Sequence, residues 1–235
     1  MEKILALIPA RSGSKGIINK NMRCIGGIPL MEFTIKAAVR SKLFDHICLS
    51  TDSEEYRRFG ISCGAEAPFL RPKELSADSS STSSVIAHAL NWYSDHEGYS
   101  PEYIMLLQPT SPFRKPESIV KAFELIKNNQ SDCLISVNEV QSHPCEYVIQ
   151  KDSGFSYVME PPEKAGRQNY PNVYFINGAI YICKTSYFKE VGQIFDRSAD
   201  LLIVDNIEAL DIDDEFDLIV AESIYEKYRE EIYWL

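Results

Sequence analysis

Arg11, Lys15, Lys20 and Arg23 crowd one short stretch of a chain whose formal net charge is −10. Among them lie Gly13 and Gly16, which let a backbone approach a ligand closely and take φ > 0 where needed. Successive N–H groups in such a loop form a nest for anions. The chemistry that fits is the cradling of a polyphosphate, and the plainer alternative is a surface loop with a few lysines. The stretch lacks both G-x-x-x-x-G-K-[ST] and G-x-G-x-x-G, which disfavours a P-loop ATPase and a dinucleotide dehydrogenase. A second chemical pair lies far along the chain. Asp211 and Asp213 are two positions apart, so an extended segment turns both carboxylates to one side. Two hard oxygen ligands plus nucleotide phosphates are what Mg²⁺ (or Mn²⁺) uses in phosphoryl-transfer sites. Their plainer role is at a helix start, where Asp213 or Asp214 would cap a helix over 215–228. Arg167 has the planar guanidinium that can grip a carboxylate in bidentate fashion, while an arginine taken singly is more often a surface or packing residue. His46, His88, His96 and His143 show no ligand spacing and stand near none of these motifs, so no general base is evident.

The elements that must position these groups read as an alternation. The apolar run from Ile4 to Ile8 is a buried parallel strand. The cationic loop leaves its carboxyl end and feeds a helix over 30–40, with Pro29 well placed at the start. Ligands of open α/β sheets bind at that end of the strands. Strands over 46–51, 103–107 and 133–140 follow, with helices over 82–93 and 116–128 between them. This order argues a parallel sheet with right-handed crossovers. Ser50-Thr51-Asp52-Ser53 closes one strand and can cap a helix. The stretch from Phe69 to Thr82 has the composition of a loop. Gln108 to Arg114 follows a strand and is stiffened by Pro109 and Pro112, a rigid polar tip of the kind that forms sites or caps helices. From about 141 to 174 the alternation stops. A hairpin around Lys151-Asp152-Ser153-Gly154 is expected there, and Tyr147, Phe155 and Tyr157 need cover. Asn177-Gly178-Ala179-Ile180-Tyr181 reads as a strand whose glycine permits close approach.

Composition is that of an ordinary globular protein, 45% hydrophobic and 25% charged. Its 235 residues suit one large domain. No apolar run reaches the roughly 20 residues of a membrane helix. The start of the chain leads directly into the first strand, leaving no room for a signal peptide. Six cysteines without a C-x-x-C pair read as reduced thiols and a cytoplasmic setting, with no structural zinc. Cys48, Cys133 and Cys183 fall within strands as small hydrophobes. The acidic balance argues against nucleic acid as a partner.

The whole string from Ile8 to Asn21 resembles the nucleotide signature of the acylneuraminate cytidylyltransferases, A-R-x-G-S-K-G-[IL]-x-x-K-N. Arg11, Gly13, Ser14, Lys15, Gly16, Lys20 and Asn21 match. Ser12 stands where Gly is usual and Ile18 where Pro is usual, and both touch loop conformation rather than charge. The resemblance extends to about Glu222 and includes the legionaminic acid enzymes. It implies a Rossmann-like, doubly wound α/β fold with a mostly parallel sheet, of the nucleotide-diphospho-sugar transferase kind. One domain over 1–235 is implied, with a small antiparallel dimerisation arm at about 141–174 and a homodimer as the assembly. Arg71 and the backbone near Ala77 and Ser79 would read cytosine and ribose. Gln108, Thr110, Ser111, Arg167, Asn177 and Tyr181 would hold the sugar, and Phe195 would be part of the pocket wall. Asp211 and Asp213 would hold the metal, and Arg11 and Lys15 would stabilise the leaving pyrophosphate. The implied reaction joins CTP and a nine-carbon 2-keto acid sugar, giving CMP-sugar and pyrophosphate. Gly16 stands where the pseudaminate branch carries Arg, which favours neuraminate or legionaminate. Two other readings stay open: another sugar nucleotidyltransferase of the fold, and a catalytically silent nucleotide-binding relative.

Overall fold

The structure is a computed structural model, and it describes residues 2–14, 16–77, 79–162, 166 and 169–232. Ten strands and six α-helices are present among them. The strands are β1 (Ile4–Pro9), β2 (Cys24–Ile25), β3 (Ile28–Pro29), β4 (His46–Ser50), β5 (Tyr103–Leu106), β6 (Cys133–Glu139), β7 (Val148–Gln150), β8 (Phe155–Tyr157), β9 (Tyr174–Lys184) and β10 (Asp200–Ile203). The helices are α1 (Leu30–Ser41), α2 (Glu54–Cys63), α3 (Thr82–Glu97), α4 (Pro116–Asn128), α5 (Thr185–Val191) and α6 (Glu215–Tyr228).

Six strands make one sheet in the order β10, β6, β9, β5, β1, β4. β1 pairs in parallel with β4 and β5, and β10 in parallel with β6, while β9 runs antiparallel to both its neighbours. Alternation along β1 explains the layers. Ile4, Ala6 and Ile8 join the cluster that contains Phe33 of α1 and Ile119 of α4. Leu5 and Leu7 join the opposite cluster, with Ile86 and Tyr93 of α3 and Phe188 of α5. A period of two thus sends neighbouring residues to two helical layers, and a strand buried on both faces reads as one apolar run. The strand order reverses beside β1, since β1 leads through α1 to β4 on one side and β5 lies on the other. The crevice at the carboxyl ends there is the expected ligand position of a doubly wound sheet.

β9 is longer than the expected strand, and its antiparallel course was not legible. Beside Gly178, whose φ is +75°, the register between β6 and β9 shifts. Side chains take over the ladder at this bulge: Ser136 Oγ donates to Asn177 Oδ1, Ala179 N donates to the same oxygen at 3.1 Å, and Ile180 N donates to Ser136 Oγ at 2.8 Å. β10, α5 and the short β2–β3 hairpin were not anticipated. The expected arm hairpin forms as β7 and β8, a separate two-stranded sheet. No helix among the described residues is long and apolar enough to cross a membrane.

Candidate active site

A cavity of about 520 Å³ opens at the carboxyl ends of β1 and β5. Pro9, Arg11, Ser14, Gly16, Lys20 and Asn21 line it from the cationic loop, Gln108, Pro109 and Thr110 from the loop after β5, and Asp213 from the segment before α6. Each wall is braced from within. Asn21 is buried, and its Nδ2 donates to the Arg11 carbonyl at 3.0 Å. The Ser12 N–H and hydroxyl both donate to the Asp52 carboxylate, at 2.8 and 3.1 Å. The hydroxyl bond is one that glycine at position 12 would lack. Lys20 Nζ donates to the Ile212 carbonyl at 2.8 Å and meets Asp213 Oδ1 at 3.0 Å. A Cβ on Gly16 would stand 3.0 Å from the Asp213 carbonyl oxygen, so any side chain there presses on backbone.

A smaller chamber of about 220 Å³ shares Pro9 and Arg11 with the first and is walled by Arg71, Leu75, Ala77, Ser80, Thr82 and Val85. Arg11 therefore borders both. Arg71 is buried; its Nε donates to Ser76 Oγ at 3.1 Å, while its Nη2 has no partner among the described residues. Burial pulls the Arg71 pKa down, with Asp52 opposing and Arg11 reinforcing the shift. A buried guanidinium N–H without an acceptor beside an open chamber is suited to a ligand carbonyl or phosphate, because leaving it unpaired costs about 1–3 kcal/mol.

The loop after β5 is held by Arg114. This guanidinium is fully buried; it donates to the Ala179 carbonyl of β9, to Thr34 Oγ1 of α1 at 3.1 Å and to the Gln108 carbonyl at 2.6 Å. Burial lowers its pKa to about 9, against the pull of Glu208 and Asp211, so it stays charged near neutrality. Three separate elements of the site thus meet on one side chain. Arg114→Met is expected to lower the unfolding free energy by about 3 kcal/mol, because two buried carbonyls lose their donor. Urea denaturation measures this, and an unchanged midpoint would refute the bracing role.

The acidic pair divides by burial. Ile212 N donates to the Thr110 carbonyl at 2.8 Å, which fastens the pair to the loop after β5. Asp211 is half-buried, and its Oδ1 has no hydrogen-bond partner among the described residues. Burial raises its pKa, the Thr110 hydroxyl opposes this, and Asp213 adds repulsion. The Asp213 side chain is 78% exposed; its pair with Lys20 is therefore worth at most about 1 kcal/mol and is readily exchanged. The helix-capping role expected as the alternative belongs to Asp214, whose side chain accepts from Phe216 N and Asp217 N, with Asp217 answering as a capping box. Among the described residues no group of three or more His, Cys, Asp or Glu side chains gathers for a metal. An orphaned buried carboxylate oxygen with a second carboxylate nearby does fit a Mg²⁺-type ion, which takes one or two carboxylates and completes its shell from phosphates and water.

Other expected site residues are placed unevenly. Gly13 and Ser79 are exposed and line neither cavity. Ser111 is buried with an unpartnered hydroxyl among the described residues. Asn177 is only 1% exposed, and its amide is taken up by Ser136, Asn138 and Ala179. These bonds make it a brace of the β9 bulge. Lys15 and Arg167 lie outside the described residues. Tyr181 is half-buried, and burial raises its pKa. Two residues were missed. Arg114 was passed over as the end of a motif, and Asp52 as part of a capping string; partners far away in sequence reveal both.

The sequence pattern of the family described as Cytidylyltransferase matches residues 5–199. The N-acylneuraminate cytidylyltransferase of Escherichia coli O18:K1:H7 is 37% identical over 228 residues, covering 96% of this chain and 52% of that protein. The chain thus spans about half the length of that relative. The CMP-N,N'-diacetyllegionaminic acid synthase of Legionella pneumophila is 32% identical over 234 residues, covering 97% of this chain and 98% of that one. A solved structure of CMP:2-keto-3-deoxy-manno-octonic acid synthetase complexed with CTP superposes with a TM-score of 0.71 at 12% identity, covering 96% of this chain and 99% of that chain. That likeness establishes the fold, an α/β sheet with mostly parallel strands.

Proposed function

The chain belongs to the cytidylyltransferase family, and on that premise we propose that it transfers CMP from CTP to a nine-carbon 2-keto acid sugar of the neuraminate or legionaminate type. The observation that carries this reading is the pair of chambers meeting at Arg11. The smaller one, with an Arg71 N–H that has no partner among the described residues, suits a base and ribose, and the larger one, with Arg11, Lys20 and Asp213, suits a triphosphate.

The anomeric hydroxyl of the sugar attacks the α-phosphorus of CTP. The new bond joins that oxygen to phosphorus, the bond to the bridging oxygen breaks, pyrophosphate leaves, and the hydroxyl proton passes to solvent water. Such transfers draw on positioning and on neutralising charge on the oxygens. Arg11 and Lys15 bear on the leaving pyrophosphate, while Asn21 keeps the Arg11 backbone in place. Asp211 and Asp213 would hold Mg²⁺ or Mn²⁺, which supplies charge neutralisation at the phosphates when bound. Gln108 and Tyr181 face the sugar, and Arg167 would take its carboxylate.

The arm between β6 and β9 is the proposed contact of a homodimer. Tyr147, Val148, Ile149, Phe155, Val158 and Met159 are all exposed on it, a larger apolar surface than a monomer usually leaves open. Light scattering is expected to give twice the chain mass, and Phe155→Glu is expected to shift the mass toward the monomer.

The deciding assay is pyrophosphate release with Mg²⁺, offering CTP, UTP and GTP against N-acetylneuraminate, a legionaminate, a pseudaminate and 3-deoxy-manno-octulosonate. Release with CTP and a nine-carbon acid supports the reading. Release only with UTP or GTP and a sugar phosphate would overturn it, and CTP binding without release from any acid would mark a silent relative.

A further inference from the structure

Three consecutive residues at the end of β4 hold both chambers. The Ser50 carbonyl accepts from Ala10 N at 2.9 Å, where the cationic loop begins. The Thr51 carbonyl accepts from Arg71 N at 2.7 Å, on the wall of the smaller chamber. The Asp52 carboxylate accepts from the Ser12 N–H at 2.8 Å and from the Ser12 hydroxyl at 3.1 Å, one oxygen to each. The first two bonds run from backbone to backbone, and the third is made by a side chain. It falls beside Arg11, which borders both chambers. The two arginines also converge. Arg11 Nη1 donates to the Ser76 carbonyl at 3.4 Å, and Arg71 Nε donates to Ser76 Oγ at 3.1 Å.

We propose that Asp52 is a positioning residue that fixes the spacing of the two chambers, so that one nucleoside triphosphate fills both at once. The inference rests on the transfer reading above and adds to it how the nucleotide site is kept in register. A nucleoside and a triphosphate joined in one molecule bind as two linked modules. The second contact is then intramolecular, and its benefit is lost when the two subsites stand at the wrong separation. The loop after β1 contains Gly13 and Gly16, which give its backbone wide freedom. A carboxylate that takes the N–H and the hydroxyl of Ser12 together removes part of that freedom before a ligand arrives, and preorganisation of this kind adds affinity without touching the ligand. An anion also repels phosphates, which suits Asp52 to acting through Ser12 rather than by contact. Its charge has a second effect: it favours the charged form of Arg71, against the repulsion from Arg11. Asparagine separates the two effects. Its amide oxygen can accept from the Ser12 N–H and its amide nitrogen can donate to the Ser12 hydroxyl, so placement is kept while the charge is removed. Alanine keeps neither.

The test measures, with Mg²⁺ and no sugar, the dissociation constants of CTP by calorimetry and of cytidine and inorganic tripolyphosphate by ligand-observed NMR. Asp52→Ala is expected to weaken CTP about tenfold, while cytidine and tripolyphosphate each stay within about twofold of wild type. Asp52→Asn is expected to hold CTP within about threefold of wild type, a rescue by placement alone. Unchanged binding of the two fragments also shows that a variant is folded. Ser12→Gly keeps the N–H bond and loses the hydroxyl bond; it carries the test if Asp52→Ala does not fold, with CTP weakened about threefold and both fragments unchanged. CTP weakened less than about fivefold in a folded Asp52→Ala protein, or unweakened in Ser12→Gly, would overturn the inference. So would a fragment that weakens along with CTP in a folded variant, since Asp52 would then act within one chamber. An Asp52→Asn protein as weak as Asp52→Ala would overturn it too, because the charge on Arg71 would carry the effect. All of these outcomes leave the transfer reading standing. A wild-type protein that binds no CTP would overturn that reading and this inference with it.

Discussion

Asp211→Asn is expected to reduce turnover with CTP and Mg²⁺ by about 10³-fold, roughly 4 kcal/mol of transition-state stabilisation, without harming the fold. The two halves of this expectation have separate causes. Asp211 is held against the loop after β5 by the Ile212–Thr110 backbone bond, which the substitution does not touch. Its buried Oδ1 has no hydrogen-bond partner among the described residues, so an amide in the same shape loses no bond made by that oxygen. Burial already raises the pKa of this carboxyl; a neutral side chain removes the buried charge and is expected to leave stability equal or raise it by up to about 1 kcal/mol. Activity and thermal midpoint should therefore move apart. The measurements are single-turnover CMP transfer, a melting curve, and the Mn²⁺ concentration needed for half-maximal rate. Turnover retained within tenfold would remove Asp211 from the metal site.

Lys15→Ala is the second large effect. Removing one donor from a preorganised anion site typically costs about 10²–10³ in kcat, and that range is expected here, with the KM of the sugar held within about threefold. The reason is a difference of charge between states. On the proposed reading the sugar brings a carboxylate wherever it binds, but charge builds on the pyrophosphate only as its bond breaks, and the cations of the Ile8–Asn21 stretch would meet that charge. Lys20 differs from Lys15 in the expected result. Its ammonium is already shared between the Ile212 carbonyl and Asp213, so its loss should disturb the acidic segment and raise the metal requirement as well as lower turnover. If Lys15→Ala keeps turnover within a few-fold, the cradle is misassigned.

The parts of the fold that the sequence displays are those with a local cause. The apolar run of β1 and the helix start at Pro29 are visible because burial and propensity act over a few residues. The cationic loop is visible because cations cluster in an acidic chain. Asp211 and Asp213 are visible as a pair, and the helix cap is narrowed to Asp213 or Asp214; the structure gives it to Asp214, with Asp217 completing the capping box. What stayed hidden has a non-local cause. β9 is antiparallel because the chain returns from the arm to sit between β5 and β6, and no periodicity along β9 reports the direction of its neighbours. Asn177 looks like a ligand, being a polar residue beside a glycine, but its amide is spent on a bulge that exists only once β6 and β9 pair. Arg114 looks like a surface arginine between Phe113 and Lys115; its acceptors lie 65, 80 and 6 positions away.

Contacts at the larger cavity and next to it in sequence join early and late parts of the chain: Lys20 to Asp213 across 193 positions, Arg23 to Glu215 across 192, and Gly26 N to Glu222 across 196. On the ribosome this has a consequence for timing. β1, β4 and β5 are made early and can pair while synthesis continues, since domains form from the N-terminal side at about 5–20 residues per second. The acidic segment emerges roughly 10–40 seconds after the cationic loop at that rate. Until then the nascent chain has a cradle with one wall, and a nucleotide held there meets no Asp213. On the proposed reading, competence for transfer is thus acquired in one late step, when nearly all of these residues have been made, and a chain released before position 211 would carry the nucleotide half of the site without the means to use it.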